Sequence, residues 1–167
     1  MSKTITLSNH KGGVGKTTSV INIGAGLVSL GKKVLLVDLD PQANLSQSLG
    51  YRDQELTIYG ALKGEQEVKP IEVLPGLELI PSTLDLAGAE IELSAEAGRE
   101  FILKELLEPL RSSYDYIIID SPPSLGLLTI NAFTASNEVL IPLQSQYLAL
   151  QGLTVLQGVI EKIQKRL

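Results

Sequence analysis

The sequence predicts an α/β fold in which a mainly parallel sheet lies between two layers of helices, as a three-layer sandwich. Short apolar runs alternate with segments of helical periodicity along the chain, and this alternation favours parallel strands joined by right-handed crossovers. Of the 167 residues, 44% are hydrophobic and only 4% aromatic, which is typical of a sheet core of Val, Ile, Leu and Ala. No repeat or linker interrupts the pattern, so we expect residues 1–167 to form a single domain.

Strands are predicted from short runs of apolar or alternating residues. The run 34–37 is continuously apolar, which indicates a strand that is buried on both faces. The segment 64–76 is charged and contains two prolines and a glycine near its end, so we interpret it as a surface loop. The expected strands cover residues 3–8, 34–37, 77–81, 116–119 and 138–141.

Helices are predicted from apolar residues at three- and four-residue spacing. The first pattern runs from Val20 to Leu30, and Gly31 ends it. The expected helices cover 17–30, 84–93, 97–112, 126–135 and 148–167, with short helical pieces in 43–63. The last of them carries an apolar stripe formed by Leu153, Leu156, Ile160, Ile163 and Leu167.

Composition excludes several classes of protein. Cysteine is absent, so disulfides, thiolate zinc sites and cysteine-ligated iron–sulfur clusters are excluded. The first residues lead directly into a strand and no apolar run approaches the length of a membrane span, so we expect no signal peptide, no membrane insertion and a cytoplasmic protein. The net charge of −5 opposes non-specific attraction to DNA or anionic lipid.

The most informative motif is the stretch 11–18, Lys-Gly-Gly-Val-Gly-Lys-Thr-Thr, between the first strand and the first helix. Its closely spaced glycines let successive backbone N–H groups turn toward an anion, and the start of the helix adds its dipole. Lys16 is expected to contact the β- and γ-phosphates of a nucleotide, and the Thr17 hydroxyl to bind Mg²⁺. The motif therefore predicts a phosphate-binding P-loop, with nucleotide contacts from Lys11, Gly12, Gly13, Val14, Gly15, Lys16, Thr17 and Thr18.

A Rossmann dinucleotide site is the alternative that a strand, a glycine loop and a helix invite. It needs G-x-G-x-x-G or a final alanine, and Thr18 occupies that last position. Asp38 could mimic the ribose-binding acid, but a Lys-Thr pair has no use in NAD binding. ATP is the expected nucleotide, because the chain contains no Asn-Lys-x-Asp or Thr-Lys-x-Asp run that would read guanine.

Carboxylates follow two predicted strands, at the edge where parallel sheets place their sites. Asp38 and Asp40 come at the end of the second strand, and Asp120 at the end of the fourth. Because Mg²⁺ on a triphosphate keeps several waters, Asp120, which has the form of a Walker B aspartate, is expected in its outer shell. For Asp38, a place in the metal shell and hydrogen bonding within the loop are equally open.

One departure from the common P-loop pattern points to a family. His10 stands where the first glycine is expected, and a second lysine, Lys11, follows it. The pattern K-G-G-x-G-K-T-T resembles the deviant Walker A motif of the ParA/MinD family of ATPases. D-x-D-P-Q and D-S-P-P-S-L-G-L-L-T-x-N are closer to the ParA branch than to MinD. The resemblance covers essentially all of the chain and implies a SIMIBI-like P-loop NTPase fold.

The resemblance implies a Mg-dependent ATPase with Lys11, Lys16 and Asp40 as its catalytic residues. Lys11 is implied to reach across an ATP-dependent homodimer to the phosphates of the other subunit, like an arginine finger in trans. Asp40 is implied to orient or polarise the water that attacks the γ-phosphate. Residues 40–46 and 120–126 correspond to the two switch segments of the family.

The resemblance also implies a role in partition of plasmids or chromosomes, in a bacterial or archaeal protein that associates with the nucleoid when dimeric. A ParB-like centromere-binding activator is the implied partner. Family members continue beyond this length, so we expect the chain to be truncated at its C-terminus, and non-specific DNA binding to belong to the missing part. The alternatives are a MinD-like positioning ATPase, a metabolic ATP-dependent ligase or kinase that uses the same loop, and a nucleotide-binding module without hydrolysis.

Overall fold

The computed structural model of the chain describes residues 2–144 and 147–166. Within these residues the strands are β1 (Lys3–Leu7), β2 (Val34–Asp38), β3 (Ile71–Leu74), β4 (Leu77–Ile80), β5 (Tyr116–Asp120) and β6 (Glu138–Leu140). The α-helices are α1 (Lys16–Ser29), α2 (Asn44–Ser48), α3 (Ile58–Leu62), α4 (Ala89–Glu92), α5 (Ile102–Leu107), α6 (Leu127–Ala135) and α7 (Tyr147–Arg166). Short 3₁₀ segments cover Leu84–Gly88, Leu93–Ala95 and Glu108–Ser113.

The strands form one mainly parallel sheet with the order β3-β4-β2-β5-β1-β6. Strand β5 pairs in parallel with β1 and β2, β6 pairs in parallel with β1, and β4 in parallel with β2. In this register Asp120 lies opposite both Leu7 and Asp38. The loops that follow β1, β2 and β5 therefore leave the sheet side by side at the same edge.

Alternation along β2 divides the core into two halves, one on each face of the sheet. Val34 and Leu36 pack with Val20 of α1, whereas Leu35 and Val37 pack with α3, α5, α6 and α7. All five of these side chains have 0% exposure, and burying an aliphatic side chain of this size stabilises a fold by about 1.5–3 kcal/mol. The predicted three-layer α/β sandwich and its doubly buried second strand are confirmed.

The interpretation of 64–76 as a loop was wrong for its last part. Residues Ile71–Leu74 form β3, which turns at Pro75 and Gly76 and pairs antiparallel with β4. Half-buried Ile71 and Val73 alternate with exposed Glu72 and Leu74, as in a strand with one face toward solvent. The run is short and lies between Pro70 and Pro75, so its sequence favours a loop. It becomes a strand because it pairs with the edge of β4.

The predicted helices are shorter in the structure. Helix α1 ends at Ser29, and Leu30, expected on its apolar face, is 74% exposed. The expected helix 84–93 consists of a 3₁₀ segment followed by α4, and 97–112 of α5 followed by a 3₁₀ segment. In these regions the apolar spacing is satisfied by short turns that pack against the sheet, so a continuous helix is not needed.

The last helix, α7, follows the prediction for the residues whose side chains the structure describes. Leu156 is buried, and Leu153, Ile160 and Ile163 are half-buried, whereas Leu167 lies outside the described residues. Among the helices described, none is long and apolar enough to cross a bilayer.

Candidate active site

The loop between β1 and α1 has a backbone that only glycine adopts without strain at two positions. Gly13 has a φ of +72° and Gly15 a φ of +91°, in the left-handed region. The first turn of α1 contains no acidic residue, so its exposed N–H groups and positive dipole end are not neutralised there. A loop and helix of this kind form a binding site for phosphate groups.

A cleft of about 480 Å³ lies against this loop. One side consists of Gly12, Gly13, Gly15, Lys16, Thr17 and Thr18, and the other includes Asp40, Gln42 and Pro123. Lys16 lines the cleft and is only 8% exposed. The structure thus brings most of the predicted loop residues to one cavity, although Lys11 and Val14 do not line it.

Lys11 is exposed and contacts the segment that follows β6. Its Nζ atom lies 3.5 Å from Oε1 of Gln144, and the Gln144 amide donates to the carbonyl of Gly13 at 3.3 Å. Asn9 accepts a hydrogen bond from the Lys11 backbone N–H at 3.0 Å and donates its own amide to Pro142 O at 2.8 Å. Lys11 is therefore held on the outer side of the loop, apart from the cleft that Lys16 faces.

Thr17 and Asp120 form a short hydrogen bond between α1 and the end of β5. The Thr17 hydroxyl donates to Oδ2 of Asp120 at 2.6 Å, while the buried Oδ1 has no hydrogen-bond partner. Burial raises the pKa of Asp120 to about 7, and nearby Asp38 adds to the rise, whereas the Thr17 hydroxyl and Lys16 oppose it. A buried carboxylate oxygen without a donor, next to a threonine hydroxyl at a phosphate loop, fits a Mg²⁺ ion or its bound water.

Asp38 has a different environment, although it is just as buried. Its Oδ2 accepts from the Ser46 backbone N–H at 2.8 Å and from the Ser46 hydroxyl at 2.7 Å, and its Oδ1 accepts from the Asp40 N–H at 3.2 Å. Burial raises the pKa of Asp38 to about 6, and the bonds from Ser46 lower it. Of the two alternatives left open for Asp38, the structure shows hydrogen bonding within the loop.

The metal alternative for Asp38 receives no support from geometry. In the part of the chain that the structure describes, no group of three or more His, Cys, Asp and Glu is arranged to hold a metal ion. Asp38, Asp40 and Asp120 therefore do not form one ligand set, although their strands end side by side. A magnesium site here would use few protein oxygens, as Mg²⁺ bound with a nucleotide usually does.

Asp40 lies across the cleft from the glycine loop. It is 6% exposed, and its Oδ1 accepts from the Gln42 N–H at 2.9 Å. Its backbone N–H is bound by Asp38, and its carbonyl accepts from the Ser82 hydroxyl at 3.0 Å. The carboxylate thus sits on a fixed stretch of backbone that faces the P-loop.

The segment 120–126 is attached to its surroundings at both ends. The Ser121 hydroxyl donates to the carbonyl of Leu7 at 3.0 Å, and the Thr129 hydroxyl donates to the carbonyl of Ser124 at 2.6 Å. At the start of α6 the Leu128 N–H donates to Oε1 of Glu90 at 3.3 Å. A side chain at Gly126 would meet that carboxylate, so Glu90 would have to move away from the start of α6 to admit it.

Among the residues that contact the site but were not predicted from the sequence are Ser46, Ser82 and Glu90. Ser46 follows the aspartates closely and could have been suspected as a hydroxyl in the same loop. Ser82 and Glu90 bind groups that are 42 and 38 residues away along the chain. Nothing in their local sequence distinguishes them from ordinary turn and helix residues.

Comparison with known proteins agrees with the motif. The family model described as "AAA domain" matches residues 2–167. The chain is 51% identical to the sporulation initiation inhibitor protein Soj of Bacillus subtilis, over 100% of this chain and 68% of the relative. It is 49% identical to the chromosome partitioning protein ParA of Myxococcus xanthus, over 98% of this chain and 59% of the relative. The chain thus spans about two thirds of the length of these curated relatives.

The fold is also similar to solved structures. A cobyrinic acid a,c-diamide synthase from Mycobacterium smegmatis, with bound ADP and magnesium, superposes with a TM-score of 0.95 at 43% identity. The superposition covers 99% of this chain and 69% of that protein. Together with the glycine loop, its two lysines and the aspartates that follow β2 and β5, these similarities show that the chain belongs to the ParA/MinD family of P-loop ATPases, in the Soj/ParA branch.

Proposed function

We propose that the protein is a ParA-like partition ATPase, which binds and hydrolyses Mg-ATP, dimerises on ATP and takes part in segregation of plasmids or chromosomes. The observation that carries the proposal is the Thr17–Asp120 pair, with its unpaired carboxylate oxygen, beside a P-loop. The names of the Soj and ParA relatives support the cellular role. Magnesium and ADP in the similar solved structure support the choice of ligand.

In this proposal the loop and Lys16 bind the phosphates. Backbone N–H groups of Gly12 to Thr18 surround the phosphate oxygens, and the ammonium group of Lys16 neutralises charge on the β- and γ-phosphates. Thr17 and Asp120 would hold a Mg²⁺ ion, Asp120 from its outer shell. A bound Mg²⁺ would supply neutralisation of the phosphate charge.

Asp40 and Lys11 complete the proposed catalytic residues. The Asp40 carboxylate, across the cleft from the loop, orients and polarises the attacking water. Lys11 acts in trans on the nucleotide of a second subunit, and its position outside the cleft supports this assignment. Catalysis of phosphoryl transfer depends on positioned charge, so loss of either side chain should reduce turnover more than it weakens ATP binding.

We also propose the partners that the family implies: a second copy of the protein, a ParB-like activator and non-specific DNA. The described part of the chain is acidic overall, with 14 basic and 19 acidic residues in the sequence, so DNA contacts belong to further residues of longer relatives. We propose that residues 1–167 form one domain of a cytoplasmic, nucleoid-associated protein. The two halves of the core pack on opposite faces of one sheet, which supports a single domain.

The test is phosphate release from Mg-ATP by the full-length protein, with size measured in ATP and in ADP. A partition ATPase should dimerise with ATP, hydrolyse it slowly and lose the dimer with ADP. Hydrolysis that requires no dimer would contradict the in-trans assignment. A protein that binds ATP without releasing phosphate would be a nucleotide-binding module.

A metabolic ligase is the second candidate, because the similar solved structure is named a cobyrinic acid a,c-diamide synthase. Such an enzyme would consume ATP only with a carboxylic acid acceptor and an amide donor, and would need no ATP-dependent dimer. A carboxylate-dependent rise in phosphate release, at constant dimer fraction, would favour it. For a MinD-like role the discriminating result would be ATP-dependent binding to anionic vesicles.

A further inference from the structure

Three polar side chains are enclosed between the ends of β2 and β4, beside the proposed catalytic cleft. Asp38 and Ser46 have 0% exposure, and Ser82 has 3%. Ser46 links the other two: its hydroxyl donates to Oδ2 of Asp38 at 2.7 Å and accepts from the Ser82 N–H at 2.9 Å. Polar groups that are this deeply buried are hydrogen-bonded because an unpaired one is costly.

The cluster binds both backbone polar groups of Asp40. The Asp40 N–H donates to Oδ1 of Asp38 at 3.2 Å. The Asp40 carbonyl accepts from the Ser82 hydroxyl at 3.0 Å, and also from the Ala43 N–H at 2.8 Å. The peptide groups on both sides of Asp40 are therefore held, and its carboxylate is held as well, since Oδ1 accepts from the Gln42 N–H at 2.9 Å.

Ser82 supplies the contact that comes from outside the loop. It lies two residues beyond Ile80, which is the end of β4 and the register partner of Val37. Asp38 ends β2, Ala43 lies in the loop that follows it and Ser46 lies in α2, so all three are within six residues of Asp40 in the chain. Ser82 therefore links the Asp40 backbone to a distant segment, the one that follows the neighbouring strand β4.

We propose that Ser82 is a positioning residue for ATP hydrolysis, which holds the backbone of Asp40 so that its carboxylate faces the attacking water; this rests on the proposed function of Asp40. The bond from the Ser82 hydroxyl is separable from the rest of the cluster. Its backbone N–H, which binds Ser46, is retained in any non-proline substitution. The variant Ser82→Ala therefore removes the contact with Asp40 and leaves the Asp38–Ser46 bonds intact.

The experiment compares Ser82→Ala and Ser82→Thr with the unmodified full-length protein. We expect kcat for phosphate release to fall about tenfold in Ser82→Ala, with Kd for Mg-ATP unchanged, since small losses of position are costly in hydrolysis. Ser82→Thr keeps a β-hydroxyl and should recover most of the rate. The matched control is Ser136→Ala, which removes a hydroxyl bonded to the Ala132 carbonyl away from the cleft and should leave kcat unchanged.

A second readout does not depend on turnover. Amide hydrogen exchange at Asp40 and Ala43 in the nucleotide-free protein should accelerate about tenfold in Ser82→Ala and not in Ser136→Ala, because only the first loosens that backbone. Accelerated exchange in a protein that does not hydrolyse ATP would contradict the proposed function while supporting the positioning role. Unchanged kcat per folded molecule or unchanged exchange in Ser82→Ala would overturn the inference.

Discussion

Asp38 and Asp120 end neighbouring strands, face each other in register and are equally buried, yet their environments differ. Asp38 receives three hydrogen bonds from the segment that follows it, one from Asp40 and two from Ser46 of α2. Asp120 receives one, from Thr17 in another element, and its second oxygen has none. Both aspartates follow an apolar run in the sequence. Asp38 nevertheless binds the segment that follows it, whereas Asp120 has a free oxygen and is a candidate ligand for a cation.

The two loops differ in the donors they can offer. After Asp38 the chain turns back and brings the N–H and hydroxyl groups of Ser46 to the carboxylate. After Asp120 come Ser121, whose N–H and hydroxyl both bind Leu7, and two prolines, which have no N–H. A loop without spare donors leaves a carboxylate oxygen available to a cation, and this difference can be tested.

The largest effect is expected when the positive charge of Lys16 is removed from the phosphate loop. Lys16→Ala should weaken Mg-ATP binding about 100-fold or more and abolish turnover, because backbone N–H groups alone do not neutralise the β- and γ-phosphates. Calorimetric titration with Mg-ATP measures the binding. The control is Lys32→Ala, an exposed lysine outside the cleft. Equal affinity of the two variants would end the P-loop assignment.

Replacing Asp120 should separate catalysis from stability. Asp120→Asn should lower phosphate release about 100-fold, since the metal shell loses its charge. Above pH 7, where Asp120 is ionised, the nucleotide-free protein should unfold at the same or a higher denaturant concentration, because a buried charge with an unpaired oxygen is removed. A variant that hydrolyses ATP normally with Mg²⁺ would show that this oxygen is not a metal-shell group.

Replacing Lys11 should prevent dimerisation and leave the nucleotide site of each subunit intact. Lys11→Ala should bind Mg-ATP normally but lose ATP-dependent dimerisation and hydrolysis, whereas Asp40→Ala should retain the dimer and lose only hydrolysis. Light scattering of the full-length protein with ATP distinguishes them. Normal dimerisation and turnover by Lys11→Ala would refute the in-trans role.

Asp38→Asn tests the other half of the comparison. The amide keeps one acceptor oxygen but directs an NH₂ group toward donors, so the variant should lose about 1–3 kcal/mol in the free energy of unfolding. Urea denaturation of the nucleotide-free protein measures this loss, with Asp120→Asn as the matched variant. A similar stability change in both variants would mean that the two carboxylates are not different after all.

A further difference is expected in the pH dependence of stability. The pKa of Asp120 is raised from 3.8 to about 7, so between these values the folded protein holds a proton that the unfolded chain has lost. Stability should therefore fall as the pH rises through this window, with a slope approaching about 1.4 kcal/mol per pH unit, and level off above it. Asp120→Asn should lack this component. Parallel curves for the two proteins, from urea denaturation at stepped pH, would contradict the raised pKa.

The P-loop and most of the sheet could be predicted because their causes are local. The glycines that take up left-handed backbone, the lysine and the threonine all lie within eight consecutive residues. The buried strand β2 is visible as a continuous apolar run, and β5 as another. Asp40 and Asp120 were predicted because the ends of such strands mark the functional edge of a parallel sheet.

Tertiary structure decided which distant groups meet. Strand β3 forms by pairing with the edge of β4. The charged residues of this segment and its flanking prolines do not indicate that pairing. The donors that reach Asp38 depend on where the chain brings Ser46, and the contact between Ser82 and Asp40 joins residues that are 42 apart in the chain. Short-range patterns fix the backbone and the burial of a segment, but hydrogen bonds between segments form only where the packed sheet places them.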